Sequence, residues 1–237
     1  MTEGDRRDDL QVVRVEDERT PLAREALDLI GKSFPPHDRQ PLDQIAMEIA
    51  ERRMGLLTSY DFHLFAAVDP GEHVLGVAAG VYLGGVNAGF VTYLAVRPEA
   101  RERQLGRRLR VRLVDAFRAD ARQLEWEELA WVVGEVRRES PWLSRLVRER
   151  AAIPFDLRYY HPGVDAERSS EHWVIYRQPV ADDREELPVG EVVQLLYAIW
   201  RRAYRVRWPL QQDGFKAMLK QLEGREMVGF LPELRVD

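Results

Sequence analysis

Apolar residues are spaced along the first half of the chain in a way that predicts two helices followed by three strands. From Pro21 to Phe34 they recur every three or four positions, and a second stripe of this kind begins at about Leu42. Proline is favoured in the first turn of a helix, which places the start of the first helix at Pro21. Continuous apolar runs then predict strands at 63–68, 74–83 and 90–96. The third run is apolar except for Thr92, as expected for a central strand that is covered on both faces.

The next part of the chain continues the alternation of helices and strands. A helical stripe covers 105–123, and Ser140 followed by Pro141 has the residue types that cap and open a further helix. Further strands are predicted at 129–136, 155–160 and 173–177. Helices interleaved with strands in this order predict an α/β fold built around one sheet.

The pattern divides the chain into three parts. Residues 1–9 are polar and predict a disordered tail, and residues 10–180 hold the α/β pattern. A charged stretch then leads into a helical extension at 181–237, in which 188–207 is predicted to form one helix with a wide apolar face. About fifty residues hold too small a core to fold alone, so the extension must pack on its own domain or on a second copy.

The composition predicts a soluble globular chain. Hydrophobic residues make up 45% and charged residues 32% of the 237 positions, which is enough to build a core. The formal net charge of -5 argues against nucleic acid as a partner. The polar start of the chain and the lack of a bilayer-length apolar run predict a cytoplasmic protein with no membrane partner.

Several kinds of catalytic chemistry have no residues to support them. The chain has no cysteine, which excludes disulfides, thiolate metal sites and a cysteine nucleophile. The five histidines are scattered with no pair at ligand spacing, so no metal site is expected. Neither the serine-hydrolase motif Gly-x-Ser-x-Gly nor a Gly-Lys-Ser/Thr phosphate loop occurs.

The segment 91–109 has the features of an anion site. An apolar strand ends, Pro98 turns the chain, and a turn that contains Gly106 enters an arginine-rich helix. The N-terminus of a helix presents unpaired N–H groups and the positive end of the helix dipole, and it binds phosphate readily. Glycine allows the backbone to approach a bulky anion closely. These properties predict a pyrophosphate site between a central strand and the following helix.

This segment resembles the acetyl-CoA-binding signature of the GCN5-related N-acetyltransferases (GNAT). Val96, Pro98, Arg101 and Gly106 match the family pattern in register, and the order of elements over about 10–177 matches the family fold. The resemblance implies a GNAT-type mixed central sheet flanked by helices over residues 10–180, with acetyl-CoA as co-substrate and no metal. The C-terminal helical extension lies outside the resemblance.

The resemblance also implies which residues contact the cofactor. The strand formed by Leu94, Ala95 and Val96 is expected to pair with the pantetheine arm, and the loop amides are expected to hold the pyrophosphate. Gln104 departs from the family pattern, which usually has glycine there. The full set of expected cofactor-binding residues is Leu94, Ala95, Val96, Arg101, Gln104, Leu105, Gly106, Arg107, Arg108 and Ser140.

Acyl transfer to an amine calls for a group that takes a proton from the amine and one that protonates the leaving thiolate. The family often supplies the acid from a tyrosine in the helix after the fifth strand, but this chain has Val147 near that position. The nearest substitutes are Tyr159, Tyr160 and His161 for the acid and Glu135, in the fifth strand, for the base. The alternative for the residues at 159–161 is structural packing, and the alternative for Glu135 is a surface position.

The function implied by the resemblance is acyl-CoA-dependent N-acyltransfer, with acetyl passing from acetyl-CoA to an amine of a small molecule or peptide. The alternative is a catalytically weakened domain that acts as an acyl-CoA-binding or interaction module, which Val147 and Gln104 keep open. The acceptor is expected to be selected by the loops at 35–43 and 57–61.

Three roles for the extension at 181–237 remain open. Docking over an exposed face of its own domain is the simplest and is favoured. Trp200, Tyr204 and Trp208 are aromatic residues with one polar edge, which also suits the wall of the acceptor site or a homodimer contact.

Overall fold

A computed structural model describes residues 10–56, 61–162 and 173–235, so the predicted tail at 1–9 and most of the loop at 57–61 lie outside the described residues. The helices are Pro21–Ser33 (α1), Leu42–Arg53 (α2), Leu105–Gln123 (α3), Pro141–Arg148 (α4), Val189–Ala198 (α5) and Asp213–Leu222 (α6). The strands are Gln11–Arg14 (β1), Phe62–Val68 (β2), Val74–Leu83 (β3), Ala88–Val96 (β4), Trp131–Arg137 (β5), Ile153–Pro154 (β6), Trp173–Pro179 (β7), Leu187–Pro188 (β8) and Met227–Val228 (β9).

The described strands form a seven-stranded sheet in the order β1-β2-β3-β4-β5-β7-β6 and a small pair of β8 with β9. β4 pairs with β5 in parallel, whereas β1 with β2, β2 with β3, β5 with β7 and β6 with β7 are antiparallel. The sheet is therefore mixed, and helices flank it, which confirms the predicted α/β class. No helix in the described ranges combines the length and apolar character needed to cross a lipid bilayer.

Local sequence sets the start of α1 where it was predicted. The Thr20 hydroxyl accepts a hydrogen bond from the Ala23 amide, and Pro21 occupies the first helical position. Both features satisfy or remove N–H groups that a helix start leaves unpaired. Ala26 and Ile30, one turn apart, are fully buried and form part of the core face of the helix.

The chain forms two compact units. The first comprises the chain up to Val81 together with Thr92–Ala119, and the second comprises Tyr82–Val91 and the chain from Asp120 onward. α1, α2, β1, β2 and nearly all of α3 belong to the first unit. α4, β5, β6, β7 and the whole C-terminal segment belong to the second. The boundary predicted at residues 180 and 181 remains a prediction.

The strand predicted at 155–160 is wrong in extent. Ile153–Pro154 pairs with β7, and Phe155 makes only an isolated bridge with Phe230. The chain turns at once, because the Leu157 amide donates to the Phe155 carbonyl at 2.8 Å and the Asp156 amide donates to Gly229 at 2.9 Å. Contacts with the C-terminal segment therefore take the place of the strand pairing that the apolar residues at 155–160 predicted.

The helix predicted at 188–207 begins close to the expected residue but changes form before its end. α5 continues as a π-helix over Ile199–Ala203, and the Tyr204 amide bonds to the Ile199 carbonyl, five residues back. The segment docks within the second unit, where Leu187 pairs with Val228 and the Leu231 amide donates to the Pro154 carbonyl at 2.9 Å. These contacts correspond to the docking role favoured from the sequence.

Candidate functional site

The predicted anion loop of the first unit joins β4 to α3 through a short 3-10 helix. The 3-10 helix spans Pro98–Arg103, and Gln104 follows in the left-handed region with φ 54° and ψ 20°. Arg97 fixes the end of the strand, because its amide donates to Leu75 at 2.8 Å and its Nε donates to the Val74 carbonyl at 2.6 Å. A helical residue followed by a left-handed one turns successive N–H groups to the same side, a geometry that binds anions.

The amides at the start of α3 are not equivalent. The amides of Arg107 and Arg108 both donate to the Gln104 carbonyl, at 3.1 and 3.2 Å, and are used by the helix itself. Leu105 and Gly106 are its first two residues, and the first N–H groups of an α-helix have no partner within that helix. Of the predicted amides at 104–108, those of the first three residues therefore suit an external anion best.

Gly106 is not required by the packing of the protein. A Cβ built there would meet only Val96 Cγ2, at 3.8 Å, which is an ordinary van der Waals distance. Gln104, by contrast, holds a positive φ that favours glycine, without being one. The backbone bend that the family pattern assigns to a glycine is thus made here by a strained glutamine.

Arginine side chains line a cleft of about 430 Å³ beside this loop, in the same unit. The cleft is lined by Val12, Gln104, Arg107, Arg108, Val111 and Arg112. Arg108 has a fixed partner, because its Nη2 donates to the Leu10 carbonyl at 2.6 Å. Arg101 is exposed. The arginines of the cleft therefore offer positive charge to a phosphorylated ligand while their side chains stay exposed to solvent.

The second half of β4 carries the three residues predicted to pair with pantetheine. The ladder between β4 and β5 covers Ala88–Val91, so Leu94, Ala95 and Val96 lie beyond it. Ala95 is buried, and the other two are half-buried. Tyr93 is also buried and accepts a hydrogen bond from the Gln40 amide at 2.9 Å, which ties the loop at 35–43 to this strand.

In the second unit Glu135 lies at the centre of a buried polar cluster. Its side chain is 5% exposed, and its Oε1 accepts a hydrogen bond from the Tyr204 hydroxyl. Nε2 of His161, a residue 2% exposed in its side chain, lies 3.1 Å from the same oxygen and forms an ion pair with it when protonated. No donor in the described part of the chain bonds to Oε2.

Tyr159 lies beside this carboxylate and is fully buried. Burial raises its pKa well above the usual value, and the nearby negative charge of Glu135 raises it further. The phenol therefore keeps its proton at neutral pH and acts as a neutral hydrogen-bonding group.

Aromatic rings surround the cluster. The His161 ring stacks on Trp173 with centroids 4.8 Å apart and meets the Tyr204 ring edge-on at 5.0 Å. Phe90, from the first half of β4, packs edge-on against Tyr204 at 5.8 Å. Apolar rings lower the local dielectric constant, which strengthens interactions with the carboxylate.

The remaining predicted residues lie elsewhere in the second unit. Tyr160 is half-buried next to Gly214, where its Cβ is 3.1 Å from the position of an added Cβ. Ser140 caps α4 by position, but its side chain makes no capping bond, and the Ser144 amide bonds to its carbonyl instead. Val147 belongs to an apolar cluster with Leu143, Leu146, Tyr176 and Leu231, which explains its residue type.

The sequence interpretation named His161 as a substitute acid and Tyr204 as a possible wall of the acceptor site, but it linked neither residue to Glu135. His161 directly follows Tyr159 and Tyr160 in the chain, so proximity was a usable signal. Tyr204 is 69 residues from Glu135, and only the π-helix before it decides which way it faces. No periodic pattern in the sequence predicts a π-helix.

Comparison with solved structures identifies the fold. The chain is similar to a candidate GNAT-family acetyltransferase from Bacteroides thetaiotaomicron, with 14% identity and TM-score 0.56 over 83% of this chain and 99% of that chain. It is also similar to a candidate acetyltransferase from Acinetobacter baylyi, with 12% identity and TM-score 0.52 over 73% and 94% of the two chains. A candidate GNAT-family acetyltransferase from Desulfovibrio desulfuricans gives 19% identity and TM-score 0.50 over 73% and 99%.

No family model matches the chain, and no curated protein matches it by sequence. The likeness to solved structures therefore lies in three dimensions. Together with the mixed sheet and the loop between β4 and α3, it shows that this chain has the fold of the GCN5-related N-acetyltransferases.

Proposed function

We propose that the chain is an acyl-CoA-dependent N-acyltransferase that moves acetyl from acetyl-CoA to an amine of a small molecule or peptide. The observation that carries this proposal is the loop between β4 and α3, which has an anion-binding geometry in the segment that resembles the family's acetyl-CoA signature. Residues 10–180 would form the acyltransferase domain and 181–237 its extension.

In this proposal the loop holds the pyrophosphate through backbone amides. The amides of Gln104, Leu105 and Gly106 would donate to phosphate oxygens, and the absence of a side chain at Gly106 would let those oxygens approach. Arg101 and Arg107 would add charge from the surface, and Leu94 to Val96 would pair with the extended arm of the cofactor. Acyl-CoA supplies the activated acyl group and a thiolate that leaves.

Glu135 would act as the general base. Amines are protonated at neutral pH, so a proton must leave before the nitrogen can attack a thioester. A buried carboxylate oxygen without a donor is costly, and Oε2 of Glu135 is such an atom. The approaching ammonium group would provide the missing donor, and the carboxylate would then accept its proton.

Tyr159 suits a supporting role better than that of the acid. Its pKa is raised well above the usual value by burial, so donating a proton to a thiolate, a weaker base, would be uphill. A neutral phenol can instead supply polar surroundings for the carboxylate, with its oxygen outside hydrogen-bonding geometry. Tyr160 packs beside Gly214, and among the described residues no hydrogen bond joins it to Glu135, so nothing there supports a role in proton transfer.

The test has two measurements on the purified chain. Calorimetric titration with acetyl-CoA measures binding, and thiol release in the presence of spermidine, kanamycin or a lysine-containing peptide measures transfer. The proposal predicts saturable binding and thiol release that depends on at least one of these amines. Absence of both would contradict it.

The alternative is an acyl-CoA-binding module without turnover. It is favoured by Val147, which packs in the apolar cluster where the family often has a tyrosine acid. Binding of acetyl-CoA without thiol release on any amine would support the module and reject the enzyme.

A further inference from the structure

We propose that the C-terminal extension supplies a positioning residue to the active site: Tyr204 holds the carboxylate of Glu135 by one oxygen and leaves the other for the acceptor amine. The proposal rests on the acyltransferase function given above. It goes further by giving the extension, which lies outside the family pattern, a part in the chemistry.

The first support is the contact itself. The Tyr204 hydroxyl donates to Oε1 of Glu135, to which His161 Nε2 also lies close, at 3.1 Å. Both groups act on the same oxygen, whereas Oε2 receives no hydrogen bond from the described residues. A carboxylate fixed in this way presents one lone-pair-bearing oxygen in a defined direction.

The second support is the unusual backbone that delivers Tyr204. The helix widens to a π-helix over Ile199–Ala203, and the Tyr204 amide bonds to the Ile199 carbonyl at 3.1 Å. Arg205 then takes a positive φ of 56°, which is costly for a residue that is not glycine. π-helical turns are rare and occur often at functional sites. An α-helix without the wider π turn would direct residue 204 elsewhere, whereas a left-handed residue such as Arg205 is common just after a helix end.

Packing alone does not account for this arrangement. The ring of Tyr204 meets Phe90 at 5.8 Å and His161 at 5.0 Å, and a phenylalanine would make the same ring contacts. The hydroxyl is the part that reaches the carboxylate. Its role is therefore to orient Glu135, and the positioning effect can be separated from the packing effect by removing the hydroxyl alone.

Tyr204→Phe makes that separation, and Tyr197→Phe is the matched control. Tyr197 is the aromatic residue of α5 and is exposed. Its ring packs edge-on against Phe215 at 6.2 Å, so its change removes a hydroxyl from the same segment outside the cluster. Both variants are expected to keep the thermal unfolding midpoint within a few degrees. This comparison shows that any loss of turnover does not arise from unfolding.

Turnover is measured as thiol release with the amine that gives the highest wild-type rate. For Tyr204→Phe we expect kcat to fall about tenfold or more, because hydrogen bonds to charged groups are among the stronger ones. The KM for acetyl-CoA should stay unchanged, and Tyr197→Phe should match the wild type. In a Glu135→Gln background, Tyr204→Phe should have little further effect, because the two residues act as one unit.

The outcomes separate this inference from the function on which it rests. Wild-type turnover with an equally active Tyr204→Phe overturns the inference and leaves the acyltransferase in place. A Tyr204→Phe loss that persists undiminished in the Glu135→Gln background also overturns it, because the effect would not pass through the carboxylate. A wild type that releases no thiol with any of the amines overturns both.

Discussion

The loop at 97–106 and the cluster around Glu135 are built in opposite ways. The loop belongs to the first unit, uses backbone amides and exposed arginines, and takes all its parts from one short stretch of sequence. The cluster belongs to the second unit, is buried, and brings together side chains from β5, from the turn after β6 and from the extension. A site of backbone groups tolerates most side-chain changes nearby, whereas a site of side chains depends on single atoms. Variants at the two places should therefore fail differently.

Glu135→Gln should have the largest effect. The amide keeps the size of the side chain but cannot accept a proton from the amine, so kcat should fall about a hundredfold or more. Affinity for acetyl-CoA should stay the same, because no part of the predicted anion loop is altered. Thiol-release kinetics combined with calorimetry measure the two quantities. Tyr160→Phe, which changes a residue outside the cluster, serves as the comparison variant.

Retention of full activity by Glu135→Gln would show that solvent, rather than this carboxylate, removes the proton. A fall in acetyl-CoA affinity as large as the fall in kcat would also contradict the comparison. It would mean that Glu135 affects cofactor binding as well as proton transfer.

Gly106→Val should produce the converse result, with weaker binding as the primary defect. The added Cβ meets only Val96 Cγ2 at 3.8 Å, so the protein backbone has room for it, but the side chain stands where a phosphate would approach. Overpacking costs about 1–3 kcal/mol, which corresponds to a rise in Kd for acetyl-CoA of about fivefold to more than a hundredfold. Calorimetry gives the Kd.

Gly190→Val is the matched control for this change. Gly190 is also the second residue of a helix, and an added Cβ there meets nothing within 4 Å. Its variant should bind acetyl-CoA like the wild type. If Gly106→Val binds equally well, the pyrophosphate does not lie at this helix start.

Arg101→Ala should have a smaller effect on binding. Arg101 is exposed, and exposed charges contribute about 0.2–1 kcal/mol, so Kd should rise about two- to fivefold at low ionic strength. The difference from the wild type should shrink as salt is added, because salt screens exposed charges. Arg148→Ala, at an exposed position on α4, should change nothing. A difference that is independent of salt would argue against an electrostatic role.

Gln104→Gly should have the smallest effect. It should raise the stability of the fold, whereas the variants above weaken turnover or binding. Glycine removes the strain of φ 54°, worth about 1–2 kcal/mol, but adds freedom to the unfolded chain, worth about 0.4–1 kcal/mol. The free energy of unfolding should therefore rise by about 0.5 kcal/mol, measured by urea denaturation. Glu125→Gly, at another positive φ of 63°, should give a similar gain. Loss of stability at position 104 alone would mean that the glutamine side chain makes a compensating contact.

The sequence predicted the first half of the fold closely, because each element there has its own local signal. Pro21 opens α1, the bounds of β3 and α3 coincide with the apolar runs, and the loop motif lies between strand and helix as expected. The strand predicted at 155–160 was wrong, because its residues pair with a segment about seventy positions later in the chain.

The candidate site shows the same contrast between residues that are close in sequence and residues that are far apart. The loop residues follow one another in sequence, so a pattern can identify them. Glu135, Tyr159, His161 and Tyr204 were each named singly from the sequence. The structure brings them together, and their contacts with one another were not predicted. Tyr204 reaches the cluster through a π-helix and a strained Arg205, which are consequences of tertiary packing and leave no periodic mark in the sequence.

A crystal structure of the chain with bound CoA tests the central claim most directly, because it locates the cofactor atoms themselves. The account predicts pyrophosphate oxygens about 2.7–3.2 Å from the amide nitrogens of Leu105 and Gly106, with the pantetheine arm extended along Leu94–Val96. CoA bound away from this loop, or no binding at saturating concentration, would contradict it.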